Sequence, residues 1–393
     1  MVTGSARSPQ LMRRLNSDAL VRFALDVDEF TAAEAMSATA LARPTVLDVC
    51  EALVSAGWLE EIADSRVAGL TNKGRPAKRY RLRERGGILL GLDAGGHRFT
   101  AVAATLKGRV LADRSVTAPV VSTDPDLAER RAAAEARRAL CSQILADVAR
   151  DAGRDVGDAL IAVIGVPAPV DAHGRSPDGE HEYWRTMNPG FDGLLGSVPV
   201  VVDNDANLAA VAERARGGHP DDIGVATVLA GERLGAGVIL DGHLLRGSRG
   251  GVGEMRFLQI VEGVGNTDGI GALAREWGRE VLGEHVDSDD VFRAAESGHP
   301  AALGIVERLG ERIARVAEAL SSLLDIDRVV IAGAIADSAA PVLSHAADVL
   351  TREFQDPIPD LVASRLGPDI VVTGAVEAAL DRIRASPGDF SPR

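Results

Sequence analysis

The chain has 393 residues, a formal net charge of −14, and 46% hydrophobic against 25% charged residues. At roughly 100 to 200 residues per domain, this length predicts two or three folded units. The composition is that of a globular protein and excludes a disordered or collagen-like chain. The apolar runs are shorter than the roughly 20 residues of a bilayer-spanning helix, and the start lacks a signal-peptide pattern. We therefore expect a cytoplasmic protein with no membrane partner.

The cysteines and the distribution of charge along the chain give further indications of the class of protein. Cys50 and Cys141 belong to no CxxC or Cys/His cluster, so we expect both to be reduced and structural. Residues 1–85 contain 13 Lys and Arg against 11 Asp and Glu, which leaves 30 against 46 for the remainder. Within this segment, residues 73–85 hold seven basic residues and one acidic residue. A basic segment in an otherwise acidic chain indicates a nucleic-acid contact.

Three short helices are predicted before residue 57. Apolar residues at helical spacing indicate the first helix over residues 15–25. Thr31 followed by Glu34 is a capping-box pattern that starts a second helix, ending near residue 38. The third helix is predicted over residues 44–56, with a proline in its first turn. Its inward face is expected to carry four residues: Leu47, Cys50, Leu53 and Val54.

Two strands are predicted next, at residues 58–62 and 78–82, with a basic connection between them. Three helices followed by a hairpin is the order of a winged helix-turn-helix, whose third helix enters the DNA major groove. The residues expected at its base edges are Arg43, Thr45 and Asp48. The predicted wing contacts, with Arg75 in a narrow minor groove and the other cations on phosphates, are Lys73, Gly74, Arg75, Lys78 and Arg79.

The same helices and hairpin also suit a dimerisation or protein-recognition module. A basic hairpin is moreover often only a solvated surface. These alternatives stay open, but the agreement between the helix order and the basic hairpin favours DNA binding.

From residue 87 onward, Gly- and Val-rich apolar runs alternate with Ala- and Arg-rich stretches, which predicts an α/β fold. The last predicted strand enters a final helix. The strands are predicted at residues 88–93, 99–104, 159–166, 198–203, 225–231, 235–242, 329–336 (a strand with a Gly-containing turn) and 369–376.

Two of these strands end in a carboxylate. Asp93 precedes a Gly-rich turn whose backbone amides suit a metal-bound phosphate. Asp203 runs directly into Asn204, Asp205, Ala206 and Asn207, followed by a helix. Asp205 suits a hydroxyl-rich ligand and would accept the proton of a sugar hydroxyl in phosphoryl transfer. Capping of the following helix by Asn204 or Asp205 is the competing interpretation.

Taken in order, these segments resemble the ROK family of repressors and sugar kinases from about residue 15 to residue 380. Residues 41–46, 53–59 and 74–76 resemble the winged-helix part of ROK repressors, which the kinases lack. The resemblance implies a duplicated actin-like, ribonuclease-H-like fold after a winged helix-turn-helix. The implied domains are residues 1–84 for DNA binding and 85–393 for the kinase-like part. Its two lobes would be residues 85–204 plus the C-terminal helix, and residues 205–368.

The resemblance also implies a sugar site of four polar side chains: Asn188, Asn204, Asp205 and Glu254. Asp205 stands at the position of the family's catalytic base, here vestigial. The family's Glu-x-Gly-His segment keeps Glu254 but has Arg256 and Phe257 in place of Gly and His. Residues 258–274 contain no cysteine, so the family's usual zinc loop has no ligands and we expect no metal.

The nucleotide side departs from the family pattern at three loops. The first phosphate loop has His97 and Arg98 where the family has Thr and Lys. The second has Glu232, a carboxylate that would repel phosphate by on the order of a few kcal/mol at an effective dielectric near 20. The adenine-side turn has methyl groups at residues 332 and 334. Since phosphoryl transfer depends on positioning and charge stabilisation, we expect no kinase activity and no cofactor.

The sequence thus predicts a DNA-binding transcription regulator, a repressor, whose kinase-like domain dimerises and senses a sugar or sugar phosphate. We expect a homodimer, or a dimer of dimers, on a double-stranded inverted-repeat operator. One alternative is an active ATP-dependent sugar kinase with an appended DNA-binding module. Another is a regulator without a small ligand that answers to a protein partner.

Overall fold

A computed structural model of the chain describes residues 9–62, 78–119, 126–177, 182–220, 223–255, 260–354 and 357–392. Its N-terminal part consists of α1 (Pro9–Asp26), β1 (Phe30–Thr31), α2 (Ala32–Thr39), α3 (Arg43–Ser55), β2 (Leu59–Ile62) and β3 (Arg79–Leu82). The strands form one antiparallel sheet in the order β1-β3-β2. The three predicted helices and both predicted strands are confirmed. The two-residue strand β1 is too short for its periodicity to be recognised in the sequence.

The ends and faces of the short helices follow local rules. Thr31 caps α2 by accepting the backbone N–H of Glu34, and Glu34 accepts that of Thr31, which is the predicted capping box. The predicted inward face of α3 is wrong in two positions, because Leu47 and Val54 are 37% and 36% exposed. The buried positions, spaced by three and four residues, are Val46, Val49, Cys50 and Leu53.

The rest of the chain forms two lobes built on the same plan. The first contains β4 (Ile88–Ala94), β5 (Arg98–Ala104), β6 (Val110–Thr117), α4 (Leu127–Asp151), β7 (Ala159–Val166), α5 (Glu182–Met187) and β8 (Val200–Asn204). Its sheet has the order β6-β5-β4-β7-β8. The first three strands in sequence are antiparallel, while β4, β7 and β8 are parallel.

The second lobe follows α6 (Asp205–Arg216). It contains β9 (Val225–Leu229), β10 (Gly235–Leu240), β11 (His243–Leu245), α7 (Ile270–Leu282), α8 (Ser288–Glu296), α9 (Pro300–Leu324), β12 (Arg328–Ala332), α10 (Ala340–Glu353) and β13 (Asp360–Ala363). Its sheet order β11-β10-β9-β12-β13 repeats both the order and the strand directions of the first sheet. The predicted duplication is therefore present in the topology.

The final helix, α11 (Ile370–Ala385), corrects one prediction. Residues 369–376 were expected to form a strand, but they are the first turns of α11, which packs on α6, β4 and β7. A short apolar run with β-branched residues does not distinguish a strand from a fully buried helix. At the crossing, a Cβ added to Gly374 would lie 1.8 Å from the carbonyl oxygen of Leu208. The other seven predicted strands are confirmed, whereas β6, β11 and β13 were not predicted.

The N-terminal part rests on the end of α11. The Arg22 guanidinium donates hydrogen bonds to the carbonyl oxygens of Arg384 (2.6 Å) and Ala385 (2.9 Å). Asp18 accepts the backbone N–H of Gly388 at 2.9 Å. These contacts satisfy carbonyls of the last helical turn, which lack partners within the helix. They join the N-terminal helices to the helix that lies between the lobes. No helix among the residues described above has the length and apolarity needed to cross a membrane.

Candidate functional site

The predicted base-reading residues lie at the start of α3. Arg43 is its first residue and is exposed, as is Asp48, while Thr45 is half-buried. Within the part of the chain that the structure describes, the Arg43 side chain makes no hydrogen bond or ion pair. Its guanidinium is thus available for an external acceptor.

At the base of the predicted wing, basic side chains form ion pairs with acidic side chains of the same unit. Lys78 forms an ion pair with Glu61 at 2.8 Å, with both side chains about half exposed. Arg79 pairs with Glu29 at 2.6 Å, and its side chain is only 12% exposed. Arg79 therefore holds the hairpin to the loop before β1, which favours a structural role over the predicted phosphate contact. The other predicted wing residues, Lys73, Gly74 and Arg75, lie outside the described residues.

A group of carboxyls occupies the cleft between the lobes. Burial, together with the neighbouring carboxyls of Asp93 and Glu254, raises the pKa of Asp205 to about 7. Burial likewise raises the pKa of Asp93 to about 7. Asp93 ends β4 and Asp205 begins α6 after β8, so the parallel strands bring their carboxyl ends together. Carboxyls that titrate near neutrality in a cleft are typical of a functional site.

The structure separates the four predicted sugar-site residues. Asp205 and Glu254 share the cleft, since their charges interact. Asn204 is adjacent, but its side chain accepts the backbone N–H of Asn207 and donates to the carbonyl of Ala168 at 3.1 Å. The capping interpretation thus holds for Asn204. Asn188 is 7% exposed and lines a different cavity, described below, rather than this carboxyl group.

The two loops at the phosphate positions face each other across the cleft. Glu232 is bound by the guanidinium of Arg275 at 2.6 Å, and its carboxylate lies 3.9 Å from the imidazole of His97. The predicted phosphate-repelling carboxylate is therefore neutralised by a protein cation. The expected repulsion of phosphate is thus smaller than the sequence suggested.

One contact across the cleft was missed by the sequence analysis. The Arg233 guanidinium lies 5.1 Å from the ring centroid of Tyr183, a cation–π distance. Arg233 follows Glu232 in the second phosphate loop, and Tyr183 belongs to α5 of the first lobe. In the sequence, the arginine in the second phosphate loop is the one sign of this contact, because neither residue belongs to a periodic pattern. The pair bridges the lobes and narrows the cleft.

Metal ligation has little support in the described chain. Among the residues that the structure describes, no group of three or more His, Cys, Asp or Glu side chains is placed to hold a metal ion. Arg256 and Phe257, which replace the family's Gly and His, lie outside the described residues. Cys50 and Cys141 are buried in the cores of separate parts, where burial raises their pKa values to about 11 and about 12. The residues present do not fit a thiolate-bound zinc.

Known proteins resemble this chain in sequence, and a family profile matches most of it. The ROK family profile matches residues 89–382. A glucokinase of Halalkalibacterium halodurans is 25% identical over 175 residues, 37% of this chain and 52% of the glucokinase. A xylose repressor of Bacillus spizizenii is 22% identical over 254 residues, 63% of this chain and 61% of the repressor. The chain thus spans only about half to three fifths of the length of these two relatives.

A solved structure of a ROK family transcriptional regulator, a homologue of the E. coli MLC protein, is also similar. It superposes with a TM-score of 0.68 at 20% identity and covers 96% of this chain and 100% of that chain. At this identity the likeness shows the fold, which extends through the N-terminal part.

Proposed function

This chain belongs to the ROK family, and from that premise we propose that it is a DNA-binding transcription regulator, acting as a repressor. The observation that carries the proposal is the N-terminal unit of three helices and a hairpin, which precedes the family match and presents unpaired Arg43 at the start of α3. The similarity to a xylose repressor and to the fold of a ROK regulator supports the same function.

In this proposal residues 1–84 form a winged helix-turn-helix, and α3 enters the major groove. Arg43 reads a base edge, with Thr45 and Asp48 beside it, because N-terminal residues of the recognition helix face the bases. Arg75 enters a narrow minor groove, and Lys73 and Lys78 neutralise phosphates. The kinase-like part, residues 85–393, forms a homodimer that aligns two such units on an inverted repeat.

The cleft then serves as an effector site rather than a catalytic one. Asp205 and Glu254 offer acceptors for the hydroxyls of a sugar, and a site built to bind hydroxyls rejects ligands that lack them. Closure of the lobes on the ligand would move α11, on which α1 rests. A ligand changes DNA affinity only if it favours one of two conformations, so effector and operator binding are expected to be coupled reciprocally.

A sugar kinase is the second candidate, because glucokinases are among the relatives and Asp205 titrates near neutrality. The departures from the family pattern at the phosphate loops oppose it, namely His97 and Arg98 in the first loop and Glu232 in the second. ADP release with ATP and a hexose panel separates the two functions. Turnover in the common enzyme range of roughly 1 to 1000 per second would establish the kinase.

The regulator is tested by selecting genomic fragments on the purified full chain and measuring affinity for the selected site and for random DNA. Arg43→Ala is expected to cost on the order of 1 to 3 kcal/mol on the selected site and little on random DNA. Arg13→Ala is the matched control, since Arg13 is an exposed arginine of α1 without a described partner. An equal loss on both DNAs would assign Arg43 to phosphate contact, and failure to select any fragment would refute the function.

A further inference from the structure

A second cavity lies outside the carboxyl cleft, along the open edge of β8. Its volume is about 590 Å³, within the usual range for small-molecule sites. The turn at residues 171–176 and the loop at residues 188–192 form two of its walls. Arg246, at the end of β11 in the second lobe, and Arg382, on α11, complete it. Asp205 and Glu254 are not among the lining residues.

The cavity is rich in cations although the chain as a whole carries a charge of −14. Four arginines line it: Arg175, Arg185, Arg246 and Arg382. Among the described residues, neither Arg175 nor Arg382 has a side-chain hydrogen bond or ion pair, and both are exposed at the cavity.

Two of the three acids in the lining are already engaged. Asp203 is bound by Arg246 at 2.5 Å. Asp171 accepts the backbone N–H groups of His173 and Arg175 at 2.8 and 2.9 Å, which lowers its pKa. The third acid is Asp192. Among the described residues, neither Arg175 nor Arg382 has a carboxylate within ion-pair distance, although the charge of Arg175 contributes to the lowered pKa of Asp171.

The cavity is also lined by a buried side-chain amide, which can offer a hydrogen-bond acceptor. Asn188 is 7% exposed, and its amide nitrogen donates to the carbonyl of Gly174 and to the hydroxyl of Ser176, both at 3.1 Å. Within the part of the chain that the structure describes, its Oδ1 is buried without a hydrogen-bond partner. A buried acceptor that lacks a partner costs about 1 to 3 kcal/mol, which a ligand donor such as a hydroxyl would offset.

We propose that this cavity binds a small hydroxyl-bearing organic anion, a sugar phosphate or a sugar acid. Guanidinium groups match the planar, multi-oxygen geometry of phosphate and carboxylate, and both Arg175 and Arg382 line the cavity. Asn188 contributes the acceptor for a hydroxyl. This site is separate from the sugar cleft, and it stands whether or not the chain binds DNA.

The position of the cavity indicates how a bound ligand would affect the conformation of the protein. Arg246 comes from the second lobe, Arg175 from the first, and Arg382 from the helix whose last carbonyls hold Arg22 of α1. A bound anion would therefore contact both lobes and α11 at once. Such a ligand favours the conformation in which these three elements are closest.

Calorimetry on the full chain tests the proposal with four probes: glucose 6-phosphate, gluconate, inorganic phosphate and glucose. One equivalent of glucose 6-phosphate or gluconate is expected to bind, and the tighter of the two identifies the anionic group. Inorganic phosphate should bind more weakly because it lacks the carbon-bound hydroxyls for Asn188. The double variant Arg175→Gln/Arg382→Gln should weaken anion binding by at least about tenfold, the size of a lost charged hydrogen bond.

Arg279→Gln is the matched control, because Arg279 is an exposed arginine of α7 outside the cavity. Circular dichroism and the thermal midpoint establish that the double variant folds, which is expected since neither arginine has a described partner to lose. Absence of binding by both organic anions would overturn the proposal. So would binding that the double variant leaves intact, or inorganic phosphate binding as tightly as glucose 6-phosphate.

Discussion

The buried carboxyl of Asp205 in the cleft should lower the free energy of unfolding as the pH rises. The pKa of Asp205 rises from 3.8 to about 7, first through burial and then through Asp93. Because the folded protein binds this proton more tightly than the unfolded chain does, the free energy of unfolding falls between about pH 4 and pH 7 and levels off above that. Asp205→Asn removes the charge while keeping the shape and the oxygen that accepts the N–H of Ala206.

A rise from 3.8 to about 7 corresponds to about 4 kcal/mol for an isolated group. Asp205 keeps partial contact with solvent, and Asp93 adjusts its own protonation, so we expect on the order of 2 kcal/mol. At pH 8 the variant should be more stable than the unmodified protein by this amount. At pH 4 the two proteins should be nearly equal in stability.

Urea unfolding followed by tryptophan fluorescence, at pH 4, 6 and 8, measures the difference. Asp337→Asn is the control, because Asp337 is exposed and has no described partner. If Asp205→Asn destabilised the protein at pH 8, or gave a difference that did not change with pH, the assignment of a costly buried carboxyl would be wrong.

Two further variants probe the architecture. Arg22→Ala removes two hydrogen bonds from a charged donor to the last carbonyls of α11, and should cost about 1 to 2 kcal/mol in urea unfolding, whereas Arg13→Ala should cost little. A loss equal to that of Arg13→Ala would show that the N-terminal part does not depend on this contact. Gly374→Ala places a methyl group 1.8 Å from the Leu208 carbonyl oxygen. This variant should lower the thermal midpoint by more than 10 °C or prevent soluble expression. An unchanged midpoint would show that α6 and α11 separate easily.

Local patterns in the sequence were sufficient for much of the fold. The capping box at Thr31 and Glu34 depends on residues three apart, so it forms wherever that helix starts. The buried strand Ala159–Val166 is bounded by its own composition and was predicted at its observed limits. The family resemblance anticipated the duplicated lobes, which the two sheets of identical order contain.

Other features depend on neighbours that are distant in the sequence. Whether residues 369–376 form a strand or a helix was decided by packing on α6 and the first sheet, since an apolar run suits either structure. The family resemblance assigned Asn188 to the sugar site, but the structure places it at a different cavity, because the turn at residues 171–176 determines which cavity it lines.

The sequence by itself determined the three N-terminal helices with their hairpin, seven of the later strands, the family and the basic N-terminal segment, because these depend on residue type and short spacing. Only the tertiary structure decided the partners of the charges. It paired Arg79 with Glu29 and Glu232 with Arg275, and among the described residues it left Arg175 and Arg382 without an ion pair at one cavity. The strength of an electrostatic interaction depends on distance and burial, and the linear order of the residues specifies neither.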